Sequence, residues 1–127
     1  MTMVLADTSV WVSHFRKASG TLQSLLINDR VLCHPLIILE LACGSPPSPR
    51  VKTLNQLKSL RQATIATNNE TLEFIEKNKF YDSGCGATDI SLLASALLSK
   101  DAVIWTSDKK LQALAHQLGI EFKESLH

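Results

Sequence analysis

Short apolar runs alternate with helical segments along the whole 127-residue chain, and this alternation constrains the fold more than any other feature. The clearest runs are residues 3–6, 31–33 and 102–105, which have strand length and the apolar character of buried strands. Strands separated by helices pair in parallel, because a parallel connection needs a crossover. The sequence therefore predicts an α/β fold with a central, mainly parallel sheet.

Weaker signals complete the predicted order of elements. Residues 63–66 are predicted as a weak strand, and residues 120–122 as a final edge strand. Capping residues and prolines indicate where the helices begin. The predicted starts are Ser19 or Thr21, Pro35, about Pro49, Asn69, Asp89 and Asp108.

A single domain, residues 1–127, is expected from the length. The chain has no internal repeat, and its Pro-rich stretch at 45–49 is too short for an interdomain linker, so it is interpreted as a bend between two helices. With 45% hydrophobic residues, a chain of this size can form a core without disulfides or structural metals.

Charge and cysteine content exclude several classes of protein. Thirteen Lys and Arg against twelve Asp and Glu give a formal charge of +1, which excludes a module that binds nucleic acid by bulk charge. Three cysteines without CxxC spacing argue against a disulfide framework and fit a reducing cytosol. No apolar run reaches about 18 residues, and the amino terminus lacks the features of a signal peptide. A cytoplasmic location without a membrane partner is therefore expected.

Carboxylates occur where a ligand site of an α/β sheet would lie. Asp7 follows the first predicted strand, Asp108 follows the late strand, and Asp89 begins a helix after a glycine-containing loop. Ligands of open α/β sheets collect beyond the carboxyl ends of the strands, so these acids are candidates for one site. Asp is also a favoured helix N-cap, which leaves a purely structural interpretation open for each.

Glu40 is unusual because it lies in the most apolar predicted helix with no Lys or Arg three or four positions away. Its carboxylate must therefore face either a narrow solvated edge or a pocket that contains a cation. Acids that share a pocket need a counter-charge. Without a histidine cluster zinc is a poor candidate, whereas all-oxygen ligation suits Mg²⁺ or Mn²⁺, the ions of metal-assisted phosphoryl chemistry.

Four pieces of sequence carry a resemblance to a known family. They are Asp7-Thr8-Ser9-Val10-Trp11, Glu40 in the third helix, Asp89 at the start of a Leu- and Ala-rich helix, and Trp105-Thr106-Ser107-Asp108. In these pieces and their order the chain resembles the PIN-domain ribonucleases, specifically the VapC-type toxins of toxin–antitoxin pairs, over nearly its whole length. The resemblance implies a three-layer α/β/α fold.

The resemblance also implies a site and an activity. Four acids would act in catalysis and hold Mg²⁺ or Mn²⁺: Asp7, Glu40, Asp89 and Asp108. The hydroxyls of Ser9 and Thr106 would support them. The implied activity is metal-dependent endonucleolytic cleavage of RNA, by a homodimer that a cognate antitoxin inhibits. Attack by a metal-activated water predicts 5′-phosphate and 3′-hydroxyl ends. Cys85 and Thr88 depart from the family pattern and put the geometry of their loop in question.

Basic residues that could contact RNA cluster in a segment without acids, between Glu40 and Glu70. Phosphate contacts from such residues give affinity without sequence information. The predicted RNA-binding residues are Arg50, Lys52, Lys58 and Arg61, with Arg16, Lys17, Lys109 and Lys110 as further candidates. An ordinary solvated helix face is the alternative. The apolar stripes after Ser19 and Pro49 are expected to bind a second subunit or an antitoxin helix.

Other functions remain as alternatives. A non-catalytic PIN-like domain would lack one or more of the acids, a DNA-directed nuclease would usually need a longer chain, and a receiver domain would carry paired acids after its first strand. A metal-independent ribonuclease would need a histidine pair. The histidines are instead scattered and are expected in the core or on the surface: His14, His34, His116 and His127.

Overall fold

Four parallel strands form the centre of the molecule in a computed structural model that describes residues 1–124. The strands are β1 (Met3–Ala6), β2 (Val31–Cys33), β3 (Arg61–Gln62) and β4 (Ala102–Trp105). Their spatial order is β3–β2–β1–β4, and each neighbouring pair is parallel. The predicted parallel sheet is therefore confirmed. His127 lies outside the described residues.

Seven helices occur within residues 1–124. They are α1 (Thr8–Arg16), α2 (Gly20–Ile27), α3 (Pro35–Cys43), α4 (Arg50–Ser59), α5 (Asn68–Asn78), α6 (Ala87–Leu98) and α7 (Lys109–Gln117). Among them α3 contacts α1 and α4, whereas α6 contacts α5 and α7. With right-handed crossovers, the helices α1 to α4, which lead to β2 and β3, lie on one face of the sheet. The helices α5 and α6, which lead from β3 to β4, lie on the other face. The sheet thus lies between two helical layers, as expected.

The core is built around β1, which lies between β2 and β4. Val4, Leu5 and Ala6 are completely buried, as are Leu93 of α6 and Leu111 of α7. A strand buried on both faces needs the continuous apolar run that the sequence shows. No helix within residues 1–124 combines the length and the apolar character needed to cross a membrane.

Two predicted strands were wrong in extent. β3 occupies residues 61–62, and of the predicted residues 63–66 only Ala63 continues the ladder, its N–H donating to the Cys33 carbonyl at 2.8 Å. At residues 120–122, Glu121 forms a single parallel bridge to Ile104. Both segments lie at an edge of the sheet, where a strand has only one neighbour to extend against.

Two predicted helix starts were also displaced. Thr67, rather than Asn69, caps α5, because its hydroxyl and the Glu70 side chain form a reciprocal capping box. Gly86 is the N-cap of α6, so Asp89 is the third residue of that helix and not its cap. The predicted caps of α2 and α3 are consistent with the structure, with Ser19 as N-cap and Pro35 in the first turn.

Candidate active site

β1 and β4 end side by side, and this brings Asp7 next to the turn that carries Asp108. Ala6 pairs with Trp105, and the N–H of Asp7 donates to the Trp105 carbonyl at 2.9 Å. The buried side chain of Asp7 then accepts from the N–H of Val10 at 3.2 Å and caps α1. The interpretation of Asp7 as a helix cap is therefore correct, and the cap itself fixes the carboxylate at the carboxyl edge of the sheet.

Asp108 caps α7 in the same way. Its Oδ1 accepts from the N–H groups of Lys110 and Leu111 at 2.8 and 3.1 Å. Unlike Asp7, it is exposed. Capping leaves its other carboxylate oxygen available at the rim, so a structural role does not exclude a chemical one.

The hydroxyls of Ser9 and Thr106 lie between these two acids. The Ser9 hydroxyl donates to Asp7 Oδ1 at 2.5 Å and accepts from the N–H of Ser107 at 2.9 Å. The Thr106 hydroxyl accepts from the N–H of Asp108 at 3.0 Å, and it lies close enough to Asp7 to lower the pKa of that carboxyl. The loop after β4 is thereby held against the start of α1.

Glu40 reaches the site from α3, which packs against α1. Thr8, the residue after Asp7, donates from its hydroxyl to Glu40 Oε1 at 2.6 Å. Glu40 is exposed, so the solvated-edge interpretation describes its surroundings correctly. No local sequence pattern pairs residues 8 and 40, so this role of Thr8 was not predicted.

Asp89 approaches from α6 in the opposite helical layer. Burial raises the pKa of its carboxyl above the ordinary value, and the carboxylates of Asp108, Asp7 and Glu40 raise this pKa further. Burial also raises the pKa of Asp7, against the opposing effect of hydrogen bonds led by that from Ser9. The structure therefore brings the four predicted acids within electrostatic range of one another.

Asp7, Glu40, Asp89 and Asp108 define the acidic cluster, and no ion pair within the described residues neutralises its charge. Within residues 1–124 the ion pairs are Arg61–Asp29 and His116–Glu121, and neither includes a member of the cluster. In that part of the chain no three His, Cys, Asp or Glu side chains converge closely enough to form a complete metal site. Oxygen donors of uncompensated charge fit Mg²⁺ or Mn²⁺, which commonly retain water ligands, better than Zn²⁺.

Comparison with known proteins identifies the family of this chain. The PIN-domain family profile matches residues 4–117. Over 124 residues the chain is 40% identical to Ribonuclease VapC32 of Mycobacterium tuberculosis strains CDC 1551 / Oshkosh and ATCC 25618 / H37Rv, which covers 98% of this chain and 99% of that protein. The chain belongs to the PIN-domain family. Within it, the identity to VapC32 assigns the chain to the VapC-type ribonucleases.

A solved structure supports the fold of this PIN domain. The crystal structure of PAE2754 from Pyrobaculum aerophilum matches with a TM-score of 0.58, over 93% of this chain and 90% of that chain. The two sequences are only 16% identical, so the likeness concerns the fold alone.

The basic residues predicted to bind RNA are not gathered at the acidic cluster of this PIN domain. The Arg50 guanidinium donates to the carbonyls of Ala42 and Gly44 at the end of α3. Arg61 pairs with Asp29 at 2.8 Å, near the amino ends of the strands and thus on the opposite side of the sheet. Both side chains have structural partners, whereas Lys52 and Lys58 are exposed on α4. Their contact with RNA stays a prediction.

Besides Arg16, which lines a cleft together with Thr8 and Glu40, Lys110 lies near the acids. Its side chain lies against Gly84, where an added Cβ would be 2.7 Å from Lys110 Cδ. Gly84 also has a φ of +85°, which favours glycine. The pKa of the neighbouring Cys85 thiol is raised mainly by burial, and the charges of Asp89, Asp108 and Lys110 all act on it. The loop that departs from the family pattern thus packs on Lys110 at the edge of the cluster.

Proposed function

We propose that this PIN domain is a divalent-cation-dependent endoribonuclease and the toxin of a toxin–antitoxin pair. The convergence of the acidic cluster carries the proposal: three carboxylates act on the pKa of Asp89, and no Lys or Arg within residues 1–124 forms an ion pair with any of the four. The 40% identity to Ribonuclease VapC32 supports RNA as the substrate.

Mg²⁺ or Mn²⁺ is the proposed cofactor, held by Asp7, Glu40, Asp89 and Asp108 directly or through water. When bound, the ion activates the attacking water and stabilises the charge that develops on the phosphodiester. Mg²⁺ in proteins often keeps several waters and takes only one or two carboxylates. The spacing of the cluster, which is not a complete ligand set, is compatible with this mode of binding.

The protein groups have distinct roles in the proposed reaction. Ser9 holds the carboxylate of Asp7, and Thr8 orients that of Glu40. A carboxylate of the cluster accepts a proton from the attacking water. The water oxygen bonds to phosphorus as the bond from phosphorus to O3′ breaks, and O3′ takes a proton from solvent water as it leaves. The products therefore carry 5′-phosphate and 3′-hydroxyl ends.

Apolar surface supports the proposed protein partners. A groove between α3 and α4 is lined by Ile38, Leu39 and Leu54, and Leu39 is 60% exposed. Val51 on α4 is 69% exposed. Apolar surface of this kind marks protein interfaces and accepts amphipathic helices. We assign it to a second copy of the chain and to an antitoxin helix.

The proposed compartment is the cytoplasm. Cys33, Cys43 and Cys85 are all free thiols, and free thiols persist where the environment is reducing.

A cleavage assay with matched variants tests the proposal. The wild-type chain should cut RNA with Mg²⁺ or Mn²⁺ and stop when EDTA is added, whereas Asp89→Asn should be inactive. Asp101→Asn is the control, because Asp101 lies in the turn before β4 with a φ of 56°, a conformation that Asn also adopts. Cleavage in EDTA, cleavage by Asp89→Asn, or 2′,3′-cyclic phosphate ends would contradict the mechanism. Cleavage of DNA in preference to RNA would show that the substrate is DNA.

A further inference from the structure

A cleft of about 510 Å³ opens between the end of α5 and one face of α7, from Lys109 to Gln117. Its walls come from the segment after α5, with Lys79, Tyr81 and Ser83, and from α7, with Lys109 and Lys110. These five residues define the lysine cleft. It takes no part in the acidic cluster, and it lies apart from the basic residues of α4.

The lysine cleft is lined by positive charge. Three of its lining residues are lysines, and no Asp or Glu lines it. None of the three lysines forms an ion pair with an acid within residues 1–124. In a chain of net charge +1, such a concentration marks a local binding site for anions.

An aromatic ring stands exposed at the same cleft. Tyr81 is 55% exposed, whereas the preceding Phe80 is buried and packs edge-on against Phe74 with ring centroids 5.5 Å apart. The N–H of Phe80 also donates to the Ile75 carbonyl at 3.0 Å. Tyr81 therefore follows a residue whose position is fixed by packing and by a backbone hydrogen bond. Exposed aromatic rings beside cationic groups are the arrangement by which proteins bind single-stranded nucleic acid.

The lysine cleft is continuous with the acidic cluster. Asp108 caps α7, and Lys109 and Lys110 are the next two residues. The side chain of Lys110 lies on Gly84, in the loop that leads to Asp89. A single-stranded RNA that leaves the cluster over this loop would thus meet the positive charge of Lys109 and Lys110 in the first turn of α7.

We infer that the lysine cleft binds the single-stranded RNA that flanks the cleavage site, with backbone phosphates on Lys79, Lys109 and Lys110 and one base stacked on Tyr81. The inference rests on the proposed function and adds to it the path of the substrate. The cleft supplies the attraction for RNA that an acidic cluster alone would lack. It takes the place of α4 as the main RNA contact.

Fluorescence anisotropy with a labelled 12-nucleotide single-stranded RNA tests this, in EDTA so that cleavage does not interfere. Lys79→Gln should weaken binding several-fold and reduce the slope of log K against log salt by about 0.7, the loss of one phosphate contact. Tyr81→Ala should weaken binding by about five-fold or more with the slope unchanged. Lys100→Gln, an exposed lysine before β4 at the opposite end of the sheet, should bind as the wild type does.

The outcomes separate this inference from the proposed function. If Asp89→Asn abolishes cleavage while Lys79→Gln and Tyr81→Ala bind RNA as the wild type does, the cleft is overturned and the nuclease stands. If both variants lose affinity as expected but Asp89→Asn still cuts, the cleft stands and the catalytic site is wrong. Equal competition by polyglutamate, with no effect of Tyr81→Ala, would overturn RNA in favour of an acidic protein segment. Circular dichroism melts verify that each variant is folded.

Discussion

Asp7 shows how one residue can serve structure and chemistry together. Its carboxylate accepts from the N–H of Val10 as a helix cap and from the Ser9 hydroxyl, and it stands at the carboxyl end of β1. Asn caps helices as well as Asp does, but it lacks the charge. The two properties can therefore be separated by mutation.

We predict that Asp7→Asn abolishes cleavage and keeps the melting temperature within a few degrees of the wild type. Asp7→Ala should also abolish cleavage, and it should lower the free energy of unfolding by about 0.5–2 kcal/mol through loss of the cap. Urea denaturation monitored by circular dichroism measures the difference. If Asp7→Asn unfolds as readily as Asp7→Ala, the charge itself is structural.

Gly84 is the residue on which the loop before α6 depends. We predict that Gly84→Ala destabilises the fold by about 1–2 kcal/mol, because a non-glycine residue is strained at a φ of +85°. The new methyl group would also displace Lys110 and weaken RNA binding several-fold. Gly20→Ala is the control, since a Cβ at Gly20 meets no atom within 4 Å. Denaturation compares the stability of the two variants, and fluorescence anisotropy compares their affinity for RNA. Wild-type RNA affinity in Gly84→Ala would contradict the predicted effect of displacing Lys110.

At the scale of elements, α3 depends on a buried histidine at its start. His34 Nδ1 accepts from the N–H of Leu36 at 3.1 Å, so the ring proton is on Nε2, which faces Ser95 Oγ at 3.1 Å. The same Ser95 oxygen accepts from the N–H of Ala66 at 3.0 Å. This network joins α3, which carries Glu40, to α6, which carries Asp89. Burial lowers the pKa of His34 below its usual value of about 6.5.

A lowered histidine pKa predicts the direction of the pH dependence of stability. The unfolded chain binds a proton more readily than the folded one, so stability is full above about pH 6.5 and falls as the pH decreases toward the folded pKa of His34. Urea denaturation from pH 8 to 5 should show a greater loss of stability in the wild type than in His34→Asn, because the raised pKa values of Asp7 and Asp89 act with the opposite sign in both proteins. If the pH dependence of stability in His34→Asn equals that of the wild type, groups other than His34 cause it.

For the whole molecule, the acidic cluster couples folding to cation binding. Four carboxylates from both helical layers meet at one edge of the sheet, and their repulsion opposes the folded state without a cation. An ion that binds only the folded form adds about 2.7 kcal/mol at a hundred times its Kd.

We predict that Mn²⁺ raises the melting temperature of the wild type by several degrees and that EDTA reverses the rise. Asp89→Asn should melt at the same or a higher temperature without metal, because it relieves repulsion and Asp89 is not a helix cap, and it should gain less from Mn²⁺. Asp101→Asn should respond as the wild type does. An equal gain in Asp89→Asn, measured by thermal melts over a Mn²⁺ titration, would remove Asp89 from the metal site.

The order of elements and the candidate acids could be read from the sequence, since both depend on local signals. Apolar runs of strand length predicted β1, β2 and β4, and aspartates after two strands indicated the rim. Edge strands were less predictable, because the extent of β3 depends on its single neighbour. The start of α6 was misassigned because Asp89 has the residue type of a cap, although Gly86 takes that position.

Local patterns in the chain were enough to predict the parallel α/β framework and to identify four candidate acids, because periodicity and strand-end position are encoded within a few neighbouring residues. The contacts of Thr8 with Glu40, of Ser9 with the loop after β4 and of Lys110 with Gly84 became visible only in the folded chain. The fold also separates the lysines near the cluster from the basic residues of α4. Such contacts join positions far apart in the chain, and the packing of helices on both faces of the sheet sets them.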